Sequence, residues 1–306
     1  MDEYNVTNDI WAIIILFNPD MSLMDKAYNS ICCQVSKIIY VDNYSKNRIE
    51  ELTWAEGKNN VSFVLMDDNE GIGAAQNAGL RLALSEGASH VIFFDQDSVI
   101  DPGFVQKLCE AEKNAICDGL NVGLTGPIYK TLDDSFEYPI WSLEKGKFVM
   151  IPLDRLDNYS VVSHIIASGS LIRSEVVEKI GLLREDWFIG FIDFEYCFRA
   201  TQYGYSSIVT KKACMRHMMG DRQIVIKGRK IGLYSPFRRY FDCRNTILIQ
   251  NEAVFPRVFK KRYLKLIIGK VIISLIYGPS RLKQFRYCMK GFYDGLRGIS
   301  GKCTVS

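Results

Sequence analysis

The first hundred residues alternate short apolar runs with polar loops, and the runs have the length of strands. Residues 11–17 (WAIIILF) are apolar throughout and end at Asn18-Pro19, the pattern of a strand buried on both faces of a parallel sheet. Residues 38–41 form a second such run, closed by Asp42-Asn43. Residues 61–66 form a third, followed by Asp67-Asp68-Asn69, and residues 90–94 a fourth that stops at Asp95-Gln96-Asp97-Ser98. Between the last two, residues 71–84 are alanine-rich with helical apolar spacing, which predicts a helix. Strand, loop and helix repeated in this order predict right-handed crossovers and an α/β fold with a doubly wound, mainly parallel sheet.

After about residue 120 the pattern loses regularity. A strand-like run at 165–172 is interrupted by Ser168-Gly169-Ser170, and residues 184–199 (REDWFIGFIDFEYCFR) mix aromatics with four acidic side chains. A helix is expected over 194–203, with Asp193 as its N-cap. From residue 237 the chain turns basic: between 238 and 270 nine Lys or Arg accompany only Asp242 and Glu252.

Composition narrows the classes. A chain of 306 residues with 48% hydrophobic and 24% charged side chains is a packed globular protein, not a disordered or collagen-like one. A net charge of +3 is too balanced for nucleic-acid binding over the whole surface. The nine cysteines are odd in number, scattered and without CxxC spacing, which argues against a disulfide framework or a structural zinc site and for a reducing cytosol. The acidic start (MDEYNVTND) does not read as a secretory signal. The nearest approach to a membrane span, residues 264–278, is short and carries Lys265 and Lys270.

In doubly wound sheets ligands bind beyond the carboxyl ends of the strands. Those ends carry Asn18, Asp42, Asn69 and the Asp95/Asp97 pair, so polar groups from four segments are expected on one rim. Two carboxylates one residue apart can hold Mg²⁺ or Mn²⁺ and leave positions open for phosphate oxygens. The same stretch, DQDSV after an apolar strand, also matches the opening motif of haloacid-dehalogenase-type phosphatases, with Asp95 as nucleophile. That motif usually lies near the start of a chain, and no later segment clearly supplies the lysine and acidic pair such enzymes need. GIGAAQNAG is not a dinucleotide fingerprint, because it follows the third strand with the wrong spacing.

Taken in order, Phe17-Asn18-Pro19, Val41-Asp42-Asn43-Tyr44-Ser45, the stretch from Asn69 to Gly79, Phe94-Asp95-Gln96-Asp97-Ser98, Ala167-Ser168-Gly169-Ser170, Asp186-Trp187-Phe188-Ile189, Asp193-Phe194-Glu195-Tyr196-Cys197-Phe198-Arg199, His217, Arg244-Asn245 and Asp294-Gly295-Leu296 resemble the family-2 inverting glycosyltransferases of GT-A fold. Within that family the chain is similar to rhamnosyltransferases of bacterial surface-polysaccharide assembly. The resemblance implies a mixed, mainly parallel sheet flanked by helices. It implies a GT-A domain over 1–235, with a nucleotide-binding half to residue 100 and an acceptor half to 235, then a basic helical extension over 236–306.

It also implies roles. Phe17, Asn18, Asp42, Asn69, Gly71, Asp95, Gln96 and Arg222 would bind the nucleotide-sugar donor, Asp42 accepting the imide N–H of uracil or thymine. Asp95, Asp97 and His217 would hold the divalent metal. Asp193 would be the general base that deprotonates the acceptor hydroxyl. Relatives carry Glu-Asp where this chain has Ile192-Asp193, which leaves Asp186 and Glu195 as substitutes for the base. Trp187, Phe188 and Glu195 would line the sugar pocket, whereas His90 and His164 read as structural. The implied donor is dTDP-L-rhamnose, or a UDP-sugar. The implied acceptor is a lipid-linked oligosaccharide of O-antigen or another surface polysaccharide, met at the cytoplasmic face of a bacterial inner membrane, with no nucleic-acid partner.

The segment 254–293 has two readings. One is a helical cap with solvated lysines. The other is an interfacial surface with apolar residues facing lipid and Lys/Arg facing anionic headgroups. A non-catalytic nucleotide-sugar-binding subunit is the remaining alternative to an enzyme.

Overall fold

The computed structural model describes residues 9–131, 134–216, 222–226, 229–278 and 280–303. The expected alternation opens the chain: β1 (Ile10–Leu16), α1 (Met21–Ile31), β2 (Lys37–Asp42), α2 (Arg48–Ala55), β3 (Val61–Leu65), α3 (Ile72–Ser85) and β4 (His90–Asp95). β5 (Val99–Ile100), α4 (Phe104–Cys117) and β6 (Val122–Lys130) follow, then a hairpin of β7 (Ile140–Glu144) and β8 (Lys147–Ile151). Next come β9 (Ser160–Val162), β10 (Leu171–Arg173), α5 (Ser174–Ile180), α6 (Ile192–Gln202) and β11 (Ser206–Arg216). A second hairpin, β12 (Arg222–Ile226) and β13 (Arg229–Leu233), leads to α7 (Pro236–Leu248), α8 (Arg257–Tyr277) and α9 (Arg281–Leu296).

The central sheet runs β3-β2-β1-β4-β10-β6-β11-β5, with β9 on β11. The first four strands are parallel, as the doubly wound pattern predicts. Beyond β4 the sheet departs from that pattern. β10 is antiparallel to both β4 and β6, while β11 is parallel to β6 and antiparallel to β5. The apolar run at 165–172 supplies only the short β10, because the Ser168–Ser170 turn occupies its middle: Ser170 Oγ and N–H both donate to Ala167 O.

Alternation along β1 sends Ile13 to one core and Ala12, Ile14 and Leu16 to the other, on opposite sheet faces. α3 lies on the Ile13 side. Gly79 sits so close to Ile13 and Val41 that a Cβ there would overlap the Ile13 side chain, so this glycine serves helix–sheet packing.

The C-terminal helices are built into this core rather than laid over it. Phe255 and Phe259 join the cluster that contains Tyr196 and Phe198 of α6. Phe259 stacks on Tyr263 with ring centroids 4.3 Å apart. Asp294, on α9, is buried and accepts from Tyr240 of α7 at 2.7 Å.

Outward, the same helices are apolar and cationic. α8 exposes Leu264, Ile268, Ile272 and Ile276, four residues apart and therefore on one face. α9 exposes Leu282, Phe285, Met289, Tyr293 and Leu296 in a second stripe, Leu282 to 82% and Leu296 to 76%. Between 257 and 303 there are twelve Lys or Arg, and the only acidic residue is the buried Asp294. No helix among the described residues is long and apolar enough to cross a membrane.

Candidate active site

The rim expected at the strand ends is formed. In register, Leu16 lies beside Asp42 and Ile15 beside Asp95, so the loops after β1, β2 and β4 leave the sheet together. Hydrogen bonds then join them. Phe17 N–H donates to Gln96 Oε1 at 2.9 Å, Asn18 N–H to Ser45 Oγ at 2.8 Å, and Lys46 N–H to Asn18 Oδ1 at 2.9 Å. The loop after β3 is drawn in through the Asn43 side chain, whose Nδ2 donates to Asn69 Oδ1 at 3.1 Å and whose Oδ1 accepts from Glu70 N–H at 3.1 Å. Asn69 Oδ1 also accepts from Gly71 N–H. Gly71 has φ +88° and lies against the Phe188 carbonyl, so a side chain there would be strained and would collide.

Asp42, expected at the nucleobase, lies beneath the rim. It is fully buried, accepting from Ser45 N–H at 2.8 Å through Oδ1 and from Arg48 Nε through Oδ2. It therefore fixes the 43–48 loop from beneath instead of presenting an open acceptor. The exposed aromatics here are Phe17 and Tyr44, the latter with φ +72° and its ring beneath the Arg48 guanidinium. Residue patterns gave no reason to single out Arg48, and Tyr44 entered only as part of the Val41–Ser45 motif. Glu51 is buried behind this pair, and burial, then the charge of Asp42, pushes its carboxyl up to about 7.

Asp95 and Asp97 stand on the turn after β4, both half-buried. The Asp95 N–H is shared between Ser98 Oγ at 3.1 Å and Ser168 Oγ at 3.0 Å. Ser168 thus brings the Ala167–Ser170 turn against the aspartate turn. The same turn meets Asp193, near the start of α6: Ala167 and Ser170 line one small cavity with the Asp193 carboxyl. One short turn therefore spaces the two acidic sites, and Tyr129, whose hydroxyl donates to Ser168 O at 2.8 Å, lies between them. Burial, then the charges of Asp193 and Asp95, pushes the Tyr129 phenol well up.

Asp193 is not the N-cap. Phe191 takes that position in a left-handed conformation, and the Asp193 carboxyl accepts from the following N–H, Phe194, at 3.0 Å. It lines a small cavity with Phe93, Ile165, Ile166 and Tyr196. Desolvation there pushes its carboxyl from the ordinary 3.8 up to about 6, against the opposing pull of backbone N–H groups and the Arg238 charge. A carboxylate so placed is a proton acceptor of raised basicity beside a cleft.

The residues expected as the sugar wall, Trp187, Phe188 and Glu195, are buried. Trp187 is 1% exposed, stacked on Phe255 and covered by Arg184, while Phe188 stacks flat on Phe241 at 4.7 Å. Glu195 is buried in a two-pronged ion pair with Arg199 at 2.9 and 3.0 Å, and Arg199 goes on to bond Ile180 O and Leu182 O. These residues hold the 180–190 segment. Glu195 is thereby spent as a substitute base, and Asp186 pairs with Arg184 at 2.8 Å. Arg244 and Asn245 complete the support: Arg244 donates to Trp187 O and Gly301 O, and the Asn245 amide to Ile189 O at 2.9 Å.

A pocket that residue patterns did not reveal opens next to Asp193. It has a volume of about 310 Å³ and draws Trp141 and Phe148 from the first hairpin, His164 and Phe194 from the core, and Arg262 and Tyr263 from α8. Ile165 and Ile166 are walls of both this pocket and the Asp193 cavity. His164 lies in a loop, not a strand, and burial, then the Arg262 charge, lowers its imidazole to about 4, so it is neutral at physiological pH. His90, by contrast, pairs with Glu112 at 3.1 Å, away from the rim.

For a divalent metal the described donors are Asp95 and Asp97, and no group of three or more His, Cys, Asp or Glu that could hold an ion occurs among the described residues. Two carboxylates suit Mg²⁺ or Mn²⁺ completed by phosphate oxygens and water, and do not suit a closed zinc site. His217, expected as a third ligand, lies outside the described residues, as does the side chain of Arg222, which opens β12. Strand β11 ends at Arg216 opposite Val99, two residues beyond Asp97.

The Glycosyl transferase family 2 model matches residues 11–181. The dTDP-rhamnosyl transferase RfbF of Shigella flexneri is 30% identical over 304 residues, covering 97% of this chain and 98% of that one. A low-salt glycan biosynthesis hexosyltransferase of Haloferax volcanii, Agl10, is 20% identical over 98% of this chain and 94% of its own. Among solved structures, GalNAc-T7 with UDP, GalNAc and Mn²⁺ superposes with a TM-score of 0.57 at 14% identity, over 91% of this chain but 59% of that chain. Staphylococcus aureus TarS residues 1–349 with UDP-GlcNAc gives 0.54 at 13% identity, over 95% and 81%.

Proposed function

The chain belongs to glycosyl transferase family 2, and from that premise we propose that it moves L-rhamnose from dTDP-L-rhamnose, with inversion, onto a lipid-linked saccharide of a bacterial surface polysaccharide. The observation that carries this reading is the Ala167–Ser168 turn, which holds the Asp95 N–H through Ser168 and lines the Asp193 cavity through Ala167. In this reading the aspartate rim takes the donor diphosphate and Asp193 is the basic carboxylate beside it. Full-length likeness to the Shigella rhamnosyl transferase supports the donor.

In this reading residues 1–235 form the catalytic domain and 236–306 the extension. The nucleobase lies against Phe17 and Tyr44, with Asn18, Asn69, Gly71, Gln96 and the Asp42–Arg48 pair shaping the rim. Arg222 is proposed for a donor phosphate. Asp95 and Asp97, joined by His217, would hold a divalent cation that neutralises the diphosphate as it departs. Asp193 takes the proton of the acceptor hydroxyl while that oxygen attacks the anomeric carbon from the face opposite the leaving dTDP. The sugar bond to phosphate breaks as the new glycosidic bond forms, and the proton ends on Asp193. Three strands and three helices precede the strand that ends at Asp95, so it is not the opening-strand nucleophile of a phosphatase.

The test is a donor screen by thermal shift with Mn²⁺, comparing dTDP-rhamnose, UDP-glucose, UDP-galactose and GDP-mannose. Largest stabilisation by dTDP-rhamnose is expected, and preferential stabilisation by the guanosine donor would sink the reading.

The apolar stripes of α8 and α9, set among cations with no exposed acid, fit the cytoplasmic leaflet of the inner membrane as a peripheral docking surface. Co-sedimentation with phosphatidylglycerol vesicles is expected and should fall sharply in Ile268→Asp/Leu282→Asp. Equal recovery on neutral vesicles, or no effect of the pair, would contradict it.

A further inference from the structure

The pocket beside Asp193 contains one group that an uncharged saccharide does not need. The Arg262 guanidinium is held between two rings of the first hairpin, 4.6 Å from the Trp141 centroid and 4.5 Å from that of Phe148. Trp141 and Phe148 lie on one face of that hairpin, since Leu143 pairs with Phe148 and Trp141 is two residues from Leu143. Among the described residues no carboxylate pairs with Arg262, whereas Arg184, Arg199, Arg216 and Arg239 all have acidic partners. Among the described residues that line the pocket, the other ionisable groups are His164, Tyr129, Tyr138 and Tyr263, with no carboxylate. His164 is uncharged, and burial pushes the Tyr263 phenol up, out of reach of physiological pH. A planar cation stacked on aromatics and lacking a counter-ion is built to bond an oxyanion through its outward N–H fork.

Its position says what carries the oxyanion. Phe194, next in sequence to Asp193, lines the same pocket, and α8 supplies Arg262 inward and Leu264, Ile268 and Ile272 outward. We propose that Arg262 binds an oxyanion on the acceptor, the diphosphate that joins its saccharide to lipid, with the sugar stacked on the pocket aromatics and the lipid leaving along the exposed face of α8. This rests on the glycosyltransfer reading, and it deepens that reading by naming the acceptor's chemistry.

The same recognition would serve a uronate carboxylate, so three probes separate the sources: octyl glucoside, octyl glucuronide and glucosyl octyl diphosphate, titrated by calorimetry into the full chain loaded with dTDP and Mn²⁺. The diphosphate probe is expected to bind about ten- to a hundredfold more tightly than the glucoside. That margin should vanish in Arg262→Gln and survive in part in Arg262→Lys, with dTDP affinity and melting temperature unchanged in both. A preference for the glucuronide alone would keep the oxyanion site and change its source. Equal affinity for all three probes, or an Arg262→Gln loss shared equally by the neutral glucoside, would overturn the proposal. Failure of dTDP to bind at all would instead strike the underlying reading, and it is measured in the same samples.

Discussion

Asp193→Asn is expected to lower kcat by about 10²- to 10⁴-fold while leaving dTDP affinity within twofold, because the amide keeps the side chain's shape but cannot take a proton. The raised carboxyl adds a pH signature. Only the ionised form accepts the acceptor proton, so wild-type kcat/KM should rise with pH through about 6 and level off above it. Stability should move the other way. The folded pKa lies above the ordinary 3.8, so protonated Asp193 favours the fold, and that contribution, full below 3.8, is lost as pH rises through about 6. At pH 8 the ionised group is therefore an unfavourable burial, and Asp193→Asn should melt no lower than wild type. A variant that melts well below wild type and loses dTDP binding in step with activity would make Asp193 a structural residue.

The strand–helix alternation of the first half and the rim were legible because they follow from local rules. A run such as 11–17, apolar at every position, has few uses other than a doubly covered strand, and polar residues at strand ends fall where such sheets bind ligands. Asp193 and Asp95 were legible as residue types but not as neighbours. What joins them is the Ala167–Ser168 turn, some seventy residues from Asp95, and no sequence period marks it. Burial was the harder quantity. Trp187 and Phe188 have the composition of a sugar wall, yet Phe255 and Phe241, 68 and 53 residues downstream, cover them. Asp42 similarly points at Arg48 within its own loop, a choice set by side-chain geometry rather than pattern. The aromatic pocket was missed for a related reason. Its walls come from a hairpin of ordinary surface composition and from a basic helix whose outer face attracted attention while its inner face held Arg262.

The second large effect concerns Asp97. Asp97→Asn should abolish the metal-dependent part of dTDP binding and cut kcat/KM by about a thousandfold or more, since removing a ligand from a two-carboxylate site forfeits several kcal/mol of charge stabilisation on the departing diphosphate. The fold should survive the change: Asp97 sits in a half-buried turn that the Asp95 N–H ties to Ser98 and Ser168, and asparagine keeps the side chain's shape. Calorimetry of dTDP with Mn²⁺, with Mg²⁺ and after EDTA would separate the contributions. Wild type should weaken on chelation and recover with either ion, whereas Asp97→Asn should bind weakly and alike in all three conditions. A variant at Ser168 distinguishes metal loss from turn distortion. Ser168→Ala removes the hydroxyl that bridges Ser98 Oγ and the Asp95 N–H yet leaves both carboxylates, so it should retain the metal response at reduced affinity. Unchanged transfer by EDTA-treated wild type would show that Asp95 and Asp97 serve the diphosphate without a cation, through the ordering of their turn alone.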